Sequence, residues 1–436
     1  MSFAPVEEQL ATIRRGASQI VTEAELVAKL QHSHRTGKPL RVKYGIDPTA
    51  VDVHLGHTVP LRKLKQLQDL GHLAVIVIGN YTALVGDPSG RDQTRPRLTA
   101  EQVERNAENY LSQLAKVIDL NRAEVVRNGD WFSRMRFLDI LELTSKLTVI
   151  RVLERDDFAK RIKEQKPIYL HECLYPLMQG WDSVQVRADV ELGASEQLYN
   201  LLCGRDLQRD AGQEPQVAVT LPILVGTDGA RRMGKSLGNY IGVGEPAEKM
   251  FGKLMSIPDE KEQADGRRLN VIRQYFELLT DVPAEEVNAL LAPDKNPKDA
   301  KVRLAKEIVG QYHWPELAEA MALEFDRVHA RHQLPSHIVV QIVLRTDLGW
   351  PAEQTEGIVW LPKLLKAAGL AWSHSDARRL IQQKAVSVGI YRGEQTELTL
   401  VTDPDATVEV REGQGPLLKV GKRQIVNIKV PEPKRA

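Results

Sequence analysis

The chain has 436 residues, of which 42% are hydrophobic and 27% are charged, and its formal net charge is +1. This length exceeds one ordinary compact domain, so we expect two or three. The composition is typical of a globular protein. No apolar run reaches the length of about 18 residues that spans a membrane, so we expect no membrane span. The N-terminus lacks the apolar core of a secretory signal. The near-neutral charge argues against indiscriminate polyanion binding but leaves room for RNA recognition by a local basic patch.

The first part of the chain alternates between strand-like and helix-like segments. Residues 40–46 are predicted as a strand, residues 59–70 as an amphipathic helix that Gly71 ends, and residues 73–78 as a continuously apolar second strand. Strand, helix and strand with short links predict an α/β fold with a doubly wound parallel sheet. A ligand should then bind at the carboxyl ends of the strands.

The turn after the first strand contains His54, Gly56 and His57. We expect both histidines on one face of the first helical turn, where free backbone N–H groups and the helix dipole attract phosphate. Gly56 would let a flat ligand approach the backbone. These residues are candidates for binding ATP, although two histidines at this spacing are by themselves more often surface or capping residues.

Later segments change character several times. Residues 99–165 have a helical pattern, which predicts an insertion whose apolar stripe is either internal core or an oligomer interface. Strand patterning returns at residues 184–192 and 217–225, and residues 335–351 are interpreted as partly a linker. Two cysteines, Cys173 and Cys203, indicate buried thiols in a reducing compartment, hence the cytoplasm, rather than a disulfide framework or a structural metal site.

The C-terminal half is predicted to be helical first and mixed afterwards. Helices in the region up to about residue 348 have predicted caps at Asp281 and Asn296. Two further helices, at residues 361–368 and 375–383, precede short strand-like runs. The predicted division is a catalytic domain with a helical insertion at 1–245, an α-helical domain at 246–348, a linker at 349–357 and a small α+β domain at 358–436.

A basic, glycine-containing loop covers residues 231–239. Alone, such a loop is more often a solvated turn. Together with the two histidines, in this order and at this separation, it resembles the "HIGH" and "KMSKS" signatures of class I aminoacyl-tRNA synthetases. This resemblance implies an ATP site formed by His54, Gly56, His57, Glu196, Met233, Lys235 and Ser236.

Five stretches in order extend the resemblance to nearly the whole chain. They are residues 45–57, 86–90, 174–182, 193–200 and 231–239, and together they resemble bacterial tyrosyl-tRNA synthetases in the longer form with a C-terminal RNA-binding domain. The resemblance implies a homodimeric tyrosine–tRNA ligase with a Rossmann-like sheet. In that family the tyrosine carboxylate attacks the α-phosphorus of ATP, and a ribose hydroxyl of the terminal tRNA adenosine then attacks the adenylate.

This chemistry needs no enzyme nucleophile, because the enzyme aligns two substrates and stabilises negative charge in the transition state. His54 and His57 can donate to phosphate oxygens, and the resemblance adds Thr49 as a hydroxyl donor. Lys235 and Arg232 can pair with pyrophosphate mainly in the transition state. Removing one such interaction typically costs about 10²–10³ in rate. Mg²⁺ would arrive with ATP.

Tyr175, Gln179 and Asp182 lie at offsets of four and three in a helical segment, so their side chains share a face. Alone, this pattern is an ordinary helix with a mixed polar face. The resemblance assigns Asp182 to the phenol of tyrosine, and Tyr175, Gln179 and Asp87 to its α-ammonium. A buried acceptor for the phenol rejects phenylalanine by about 10⁴–10⁵, and tyrosyl-tRNA synthetases are themselves the usual example of that magnitude.

The chain departs from the family pattern at several positions. Ala194 replaces a glycine, Glu196 replaces an aspartate that meets the adenylate ribose, and Gln197 aligns with a glutamine near the bound tyrosine. Glu196 can still accept a hydrogen bond from a ribose hydroxyl. Lys43 stands where many relatives have a tyrosine that touches the phenol, so it receives no such role.

The C-terminal part resembles a small RNA-binding fold named after a ribosomal small-subunit protein. The resemblance implies that Arg378, Arg379 and Lys384 contact tRNA phosphates, which should make binding salt-sensitive. On charge pattern alone, a solvated helix face fits equally well.

Three other functions compete with this interpretation. A tryptophanyl-tRNA synthetase shares the sheet and both signatures, but the Tyr175–Gln179–Asp182 face favours tyrosine. A small-molecule nucleotidylyltransferase also uses paired histidines, yet the basic loop and the RNA-binding fold argue against it. A non-enzymatic RNA chaperone or splicing factor on a synthetase body would be an additional role, because the catalytic motifs are intact.

Overall fold

A computed structural model describes residues 3–49, 53–89, 98–329, 331, 333–335, 338–351, 353–392, 396–421 and 424–432. Residues 50–52 of the stretch 45–57, and Gly90 of the stretch 86–90, lie outside this described part. The chain forms two compact units, residues 1–322 and 323–436. Among the helices of the described residues, none is long and apolar enough to cross a membrane.

The described helices, in chain order, are α1 (Val6–Arg14), α2 (Glu23–Thr36), α3 (Leu55–Asp69), α4 (Thr82–Val85), α5 (Ala100–Leu114), α6 (Gly129–Phe132), α7 (Phe137–Thr144), α8 (Val149–Leu153), α9 (Asp156–Lys163), α10 (Leu170–Val186), α11 (Leu198–Asp210), α12 (Ala247–Met255), α13 (Val271–Leu279), α14 (Ala284–Leu290), α15 (Pro297–Tyr312), α16 (Pro315–His329), α17 (Arg345–Leu348), α18 (Leu361–Ala367) and α19 (His374–Gln382). Short 3₁₀ turns cover Leu120–Arg122, Ser195–Gln197 and Lys235–Leu237.

The described strands are β1 (Gln19–Val21), β2 (Arg41–Ile46), β3 (Leu73–Ile78), β4 (Ala123–Arg127), β5 (Val190–Ala194), β6 (Val217–Leu221), β7 (Glu260–Glu262), β8 (Arg268–Asn270), β9 (Val339–Ile342), β10 (Glu356–Trp360), β11 (Val386–Gly389), β12 (Leu398–Leu400), β13 (Thr407–Arg411), β14 (Leu417–Val420) and β15 (Gln424–Lys429).

The main sheet of the first unit has six strands in the order β1-β6-β5-β2-β3-β4. The five strands from β6 to β4 are parallel, and β1 adds an antiparallel edge. Strand β3 and strand β6 are almost wholly buried, as expected for parallel strands covered on both faces. The predicted α/β class with a doubly wound parallel sheet is confirmed. Because β2 pairs with β3 on one side and β5 on the other, the strand order reverses beside β2.

The first predicted helix begins earlier than its apolar pattern indicated. Helix α3 begins at Leu55 rather than at residue 59, with His54 as its N-cap. The backbone N–H of His54 donates to Nδ1 of His57 at 3.4 Å, so the histidine turn itself belongs to the helix start. The predicted strand at residues 73–78 has the bounds of β3.

Two other expectations about elements of the sheet were wrong. Residues 99–165 are not all helical, because Ala123–Arg127 forms β4, which pairs in parallel with β3. Residues 184–192 are not all strand-like, because α10 continues to Val186 and β5 begins at Val190. Residues 123–127 and residues 184–192 are short runs, for which periodicity alone does not separate helix from strand.

The two predicted helix caps had different outcomes. Asn296 caps α15, since its side chain accepts from the Lys298 N–H at 3.0 Å. Asp281 does not cap α14, because Pro283 occupies the N-cap of that helix. Its carboxylate instead accepts from Arg62 of α3 at 2.7 Å, an ion pair between side chains distant in sequence.

The second unit has a five-stranded sheet in the order β12-β11-β14-β15-β9 and a separate pair of strands, β10 and β13. Helices α18 and α19 contribute Leu361, Leu364 and Ile381 to its core. They lie within one residue of the two predicted helices. Residues 335–351, interpreted as partly a linker, contain β9 and α17, and β9 pairs with β15. The finer division of the chain into four parts stays a prediction.

Candidate active site

A cleft of about 680 Å³ opens in the first unit at the carboxyl ends of β2 and β5. This is where the strand order reverses and where ligands bind in open α/β sheets. Every sequence-predicted site residue of this unit lines the cleft: Thr49, His54, Gly56, His57, Asp87, Tyr175, Gln179, Asp182, Glu196, Gln197, Arg232, Met233, Lys235 and Ser236.

The paired histidines form one wall of the cleft. Their rings stack with centroids 3.7 Å apart and planes 18° apart. A Cβ on Gly56 would lie 3.0 Å from the His54 ring, so a side chain there would crowd the pair. Burial and, to a smaller extent, the Lys235 ammonium together lower the pKa of His54 to about 4, so His54 is neutral at physiological pH. A neutral imidazole keeps one N–H donor.

The basic loop is held in shape by Asn239, a residue to which the sequence pattern assigns no role. Its Oδ1 accepts from the Gly234 N–H at 2.9 Å, while its Nδ2 donates to the Arg232 carbonyl at 3.1 Å and to Asp228 at 3.0 Å. A Cβ on Gly226 would lie 2.2 Å from the Asn239 amide, so this close approach requires glycine. These hydrogen bonds therefore fix the shape of the loop whose cationic side chains line the cleft.

Glu196 and Arg232 approach each other across the cleft. The Arg232 Nη1 lies 3.9 Å from Glu196 Oε2. Burial raises the pKa of Glu196, and the Arg232 guanidinium acts in the opposite direction. The glutamate that replaces the expected aspartate therefore lies at the cleft, between the basic loop and the end of β5.

Asp182 lies at the buried end of the cleft and is 4% exposed. Its carboxylate accepts from Trp131 Nε1 at 3.0 Å and from Asn128 Nδ2 at 3.3 Å. Burial raises the pKa of Asp182 to about 7, although the Lys43 ammonium and these two hydrogen bonds act in the opposite direction. Such a group can accept a hydrogen bond from a buried phenol near neutral pH.

Hydrogen-bond acceptors gather on the same face of α10 and on the turn after α4. The Tyr175 hydroxyl donates to Asp47 Oδ2 at 2.9 Å, so its oxygen can still accept. Asp87 accepts from the Ser89 N–H at 2.9 Å and from Gln197 Nε2 at 2.6 Å. A carboxylate and a phenolic oxygen beside the Gln179 amide match a ligand group that offers several donors, as an ammonium does.

Lys43 is fully buried and is not one of the residues that line the cleft. Its Nζ donates to Glu191 Oε1 at 2.8 Å, to Ser183 Oγ at 2.7 Å and to the main-chain carbonyl of Gln179 at 2.8 Å. Lys43 and Glu191 are register partners on neighbouring strands. In the sequence, the available signal for this ion pair was a pair of opposite charges within two apolar strands. That signal could be interpreted only once the pairing of the two strands was known.

The predicted RNA-binding residues belong to the second unit. On α19, Arg378 pairs with Asp405 at 3.0 Å and Arg379 pairs with Asp376 at 2.6 Å. Lys384 follows the helix with a φ of 55°. The side chains of Arg378 and Arg379 are 46% and 62% exposed, and surface ion pairs are weak enough for a phosphate to replace the carboxylate.

A family model described as "tRNA synthetases class I (W and Y)" matches residues 35–330, so the protein is a class I aminoacyl-tRNA synthetase. The chain is 48% identical to the tyrosine–tRNA ligase of Moorella thermoacetica, covering 97% of this chain and 96% of that one. It is 47% identical to that of Carboxydothermus hydrogenoformans, over 97% and 99%. It therefore belongs to the tyrosine–tRNA ligase family.

A solved structure supports the same assignment. The tyrosyl-tRNA synthetase from Archaeoglobus fulgidus, complexed with L-tyrosine, has a TM-score of 0.59 and 25% identity, covering 73% of this chain and all of that one. The reaction is the ATP-dependent activation of tyrosine followed by its transfer to tRNA. The predicted enzyme class and reaction are confirmed, and tyrosine rather than tryptophan is the amino acid.

Proposed function

We propose that the cleft of the first unit carries out tyrosine activation, with its phosphate end formed by the histidines and the basic loop and its amino-acid end by α10. The observation that supports this proposal most strongly is that a buried carboxyl, a group of hydrogen-bond acceptors and a cationic loop line one continuous cleft. Such an arrangement suits one substrate with a phenol and an ammonium and another with phosphates. In-line attack by the tyrosine carboxylate then needs only positioning and charge stabilisation.

At the phosphate end, His54, His57 and Thr49 donate hydrogen bonds to the phosphates as the α-phosphorus is attacked. Lys235 and Arg232 neutralise the charge that builds up on the departing pyrophosphate. Neutral His54 suits this role, because it donates without a proton having to be lost or gained. Interactions of this kind raise the rate when they are stronger in the transition state than with bound ATP.

At the amino-acid end, Asp182 accepts from the phenol of tyrosine. Tyr175, Gln179 and Asp87 accept from its α-ammonium, and Gln197 supports Asp87 through a 2.6 Å hydrogen bond. The ATP moiety is bound by Gly56, Met233 and Ser236, with Glu196 accepting from a ribose hydroxyl. Glu196 Oε2 lies 3.9 Å from Nη1 of Arg232, which supports assigning it to the ATP part of the cleft.

Mg²⁺ enters with ATP as part of that substrate, because phosphate oxygens bind this hard cation with several waters retained. The activity test is amino-acid-dependent ATP–pyrophosphate exchange with tyrosine, tryptophan and phenylalanine. We expect exchange with tyrosine, its loss on chelation with EDTA, and its return with added Mg²⁺. Exchange that persists at full rate in EDTA would contradict the Mg²⁺ proposal alone.

The protein acts as a homodimer through its helical insertion. Phe137, Leu138, Val149, Ile150 and Leu170, on α7, α8 and the start of α10, are each 68% or more exposed. Apolar exposure on this scale marks an interface, and a second copy is the partner that every solution of this protein contains. Sedimentation of Phe137→Asp should give monomers, whereas Leu323→Asp, an equally exposed leucine of α16, should stay dimeric.

Transfer to tRNA uses phosphate contacts from Arg378, Arg379 and Lys384, and it takes place in the cytoplasm. Removing one of these side chains should reduce the salt slope of tRNA binding by about one unit of log K against log salt. Fluorescence anisotropy with tyrosine tRNA tests this in Arg379→Ala. An unchanged slope would remove Arg379 from the interface.

A further inference from the structure

A buried arginine of the helical insertion lies behind the ammonium end of the cleft. Arg155 follows α8, and its side chain is 3% exposed. Its Nη1 donates to Asn200 Oδ1 at 3.1 Å and its Nη2 donates to Ser89 Oγ at 3.0 Å. Arg155 is not one of the residues that line the cleft, and no role proposed above uses it.

The guanidinium determines which way the Asn200 amide points. Because a guanidinium donates and never accepts, Asn200 must turn Oδ1 towards it. The amide nitrogen is then directed to the two glutamines, and it donates to Gln179 Oε1 at 2.9 Å and to Gln197 Oε1 at 3.0 Å. Each glutamine must therefore turn its own nitrogen away from Asn200.

Both glutamine nitrogens meet a carboxylate on the other side. Gln179 Nε2 donates to Glu191 Oε1 at 3.1 Å, and Gln197 Nε2 donates to Asp87 Oδ2 at 2.6 Å. A carboxylate accepts and does not donate. At one end of these hydrogen bonds lies the Arg155 guanidinium, which only donates. At the other end lie the carboxylates of Glu191 and Asp87, which only accept. Each of the three amides therefore satisfies its partners in one orientation.

Arg155 is itself held from several directions. Asp157 accepts from its Nε and its Nη2 at 3.1 Å each, a bidentate pair. The guanidinium carbon lies 5.0 Å from the centroid of the Phe158 ring and 5.1 Å from that of Tyr199. A guanidinium held in this way is a fixed reference for the amides.

We infer that Arg155 is a positioning residue for tyrosine activation. It acts through Asn200 to keep Gln179 in the orientation in which its oxygen, and not its NH₂ group, is available to the ammonium, and to keep Gln197 in the orientation in which its NH₂ group donates to Asp87. If the Gln179 amide rotated, its N–H groups would face the N–H groups of the ammonium. The inference rests on the proposed binding of the α-ammonium by Tyr175, Gln179 and Asp87.

The test is ATP–pyrophosphate exchange by the full-length Arg155→Met variant. We expect the KM for tyrosine to rise about tenfold, the effect of one misplaced charge-assisted hydrogen bond, with the KM for ATP within twofold. The Ki of 3-(4-hydroxyphenyl)propionate, which has the phenol and carboxylate but no ammonium, should not change. Arg155→Lys, still a donor, should recover part of the tyrosine affinity.

The matched control is Arg151→Met. Arg151 lies one turn earlier in the same insertion, is 63% exposed and pairs with Asp206 at 3.5 Å, so its loss should change neither constant. If Arg155→Met does not fold, Asp157→Asn loosens the guanidinium without removing it, and the same pattern should follow at smaller size.

An unchanged KM for tyrosine, or equal losses for tyrosine and the analogue without the ammonium, would overturn the inference. The latter result would mean that Arg155 acts only through general packing. Failure of the proposed site assignment looks different: Gln179→Ala would leave the KM for tyrosine unchanged in an enzyme that is otherwise active.

Discussion

The two ends of the catalytic cleft are built in different ways. The phosphate end comes from two local segments, the histidine turn at the start of α3 and the basic loop that Asn239 holds. The amino-acid end comes from side chains of several elements that are distant in sequence, joined through Asn200, Lys43 and Glu191. The first kind of site is mainly a matter of backbone shape and charge, and the second depends on a connected network of buried polar groups.

The largest expected effect is on specificity at the amino-acid end. Asp182→Ala removes the buried acceptor for the phenol, so the preference for tyrosine over phenylalanine should fall by about 10³ or more. The measurement is kcat/KM for each amino acid in pyrophosphate exchange. A variant that still rejected phenylalanine as strongly as the wild type would remove Asp182 from the phenol site.

At the phosphate end we expect a rate effect without a specificity effect. Lys235→Ala should lower kcat by about 10²–10³ and leave the KM for tyrosine within a few-fold, because the ammonium interacts with the phosphates mainly in the transition state. Steady-state exchange kinetics measure both constants. A large rise in the KM for tyrosine with an unchanged kcat would show that the two ends are not separate.

The ends should also differ in their contribution to stability. Lys43→Met leaves Glu191 buried without its cation, which should lower the free energy of unfolding by about 3–5 kcal/mol. Urea unfolding measures this loss, and Lys235→Ala, on the partly exposed loop that lines the cleft, should stay within about 0.5 kcal/mol of the wild type. The double variant Lys43→Met with Glu191→Gln should recover part of the loss. No recovery would mean that the charge pair is not the cause.

The smallest effect is a shift in pH dependence. The pKa of Asp182 is about 7, so kcat/KM for tyrosine should decrease as the pH drops below 7, because protonation removes the negative acceptor. Well below that pKa, the decrease should approach tenfold per pH unit. His54, whose pKa is about 4, does not titrate in this range. Trp131→Phe removes a hydrogen bond that lowers the pKa of Asp182, so the midpoint should move to higher pH. A midpoint that moved lower would contradict this assignment.

The same contrast explains how much the sequence could predict. His54, His57 and Lys235 stand in two short segments whose order and separation resemble the signatures of class I synthetases, and strand β3 has an uninterrupted apolar pattern, so the sequence predicted them. Helical spacing predicted that Tyr175, Gln179 and Asp182 share one face, and the resemblance to tyrosyl-tRNA synthetases, not the spacing, assigned that face to the tyrosine site.

What was missed depends on contacts between distant segments. Arg155 and Asn200 are 45 positions apart, and nothing near Arg155 in the sequence distinguishes it from a surface arginine of a helical insertion. The role of Lys43 required knowing that β2 pairs with β5 in a register that places it beside Glu191. The helical prediction failed at β4 because its five residues are too few for periodicity to decide.

The central claim is that the two ends of the cleft act separately, one on tyrosine binding and the other on the chemical step. Its most direct test is rapid-quench formation of tyrosyl-adenylate in a single turnover, with tyrosine concentration varied, for wild type, Asp182→Ala and Lys235→Ala. We expect Asp182→Ala to weaken tyrosine binding and Lys235→Ala to slow adenylate formation at saturating tyrosine while binding stays near wild type. Equal losses of binding and rate in both variants would contradict the account.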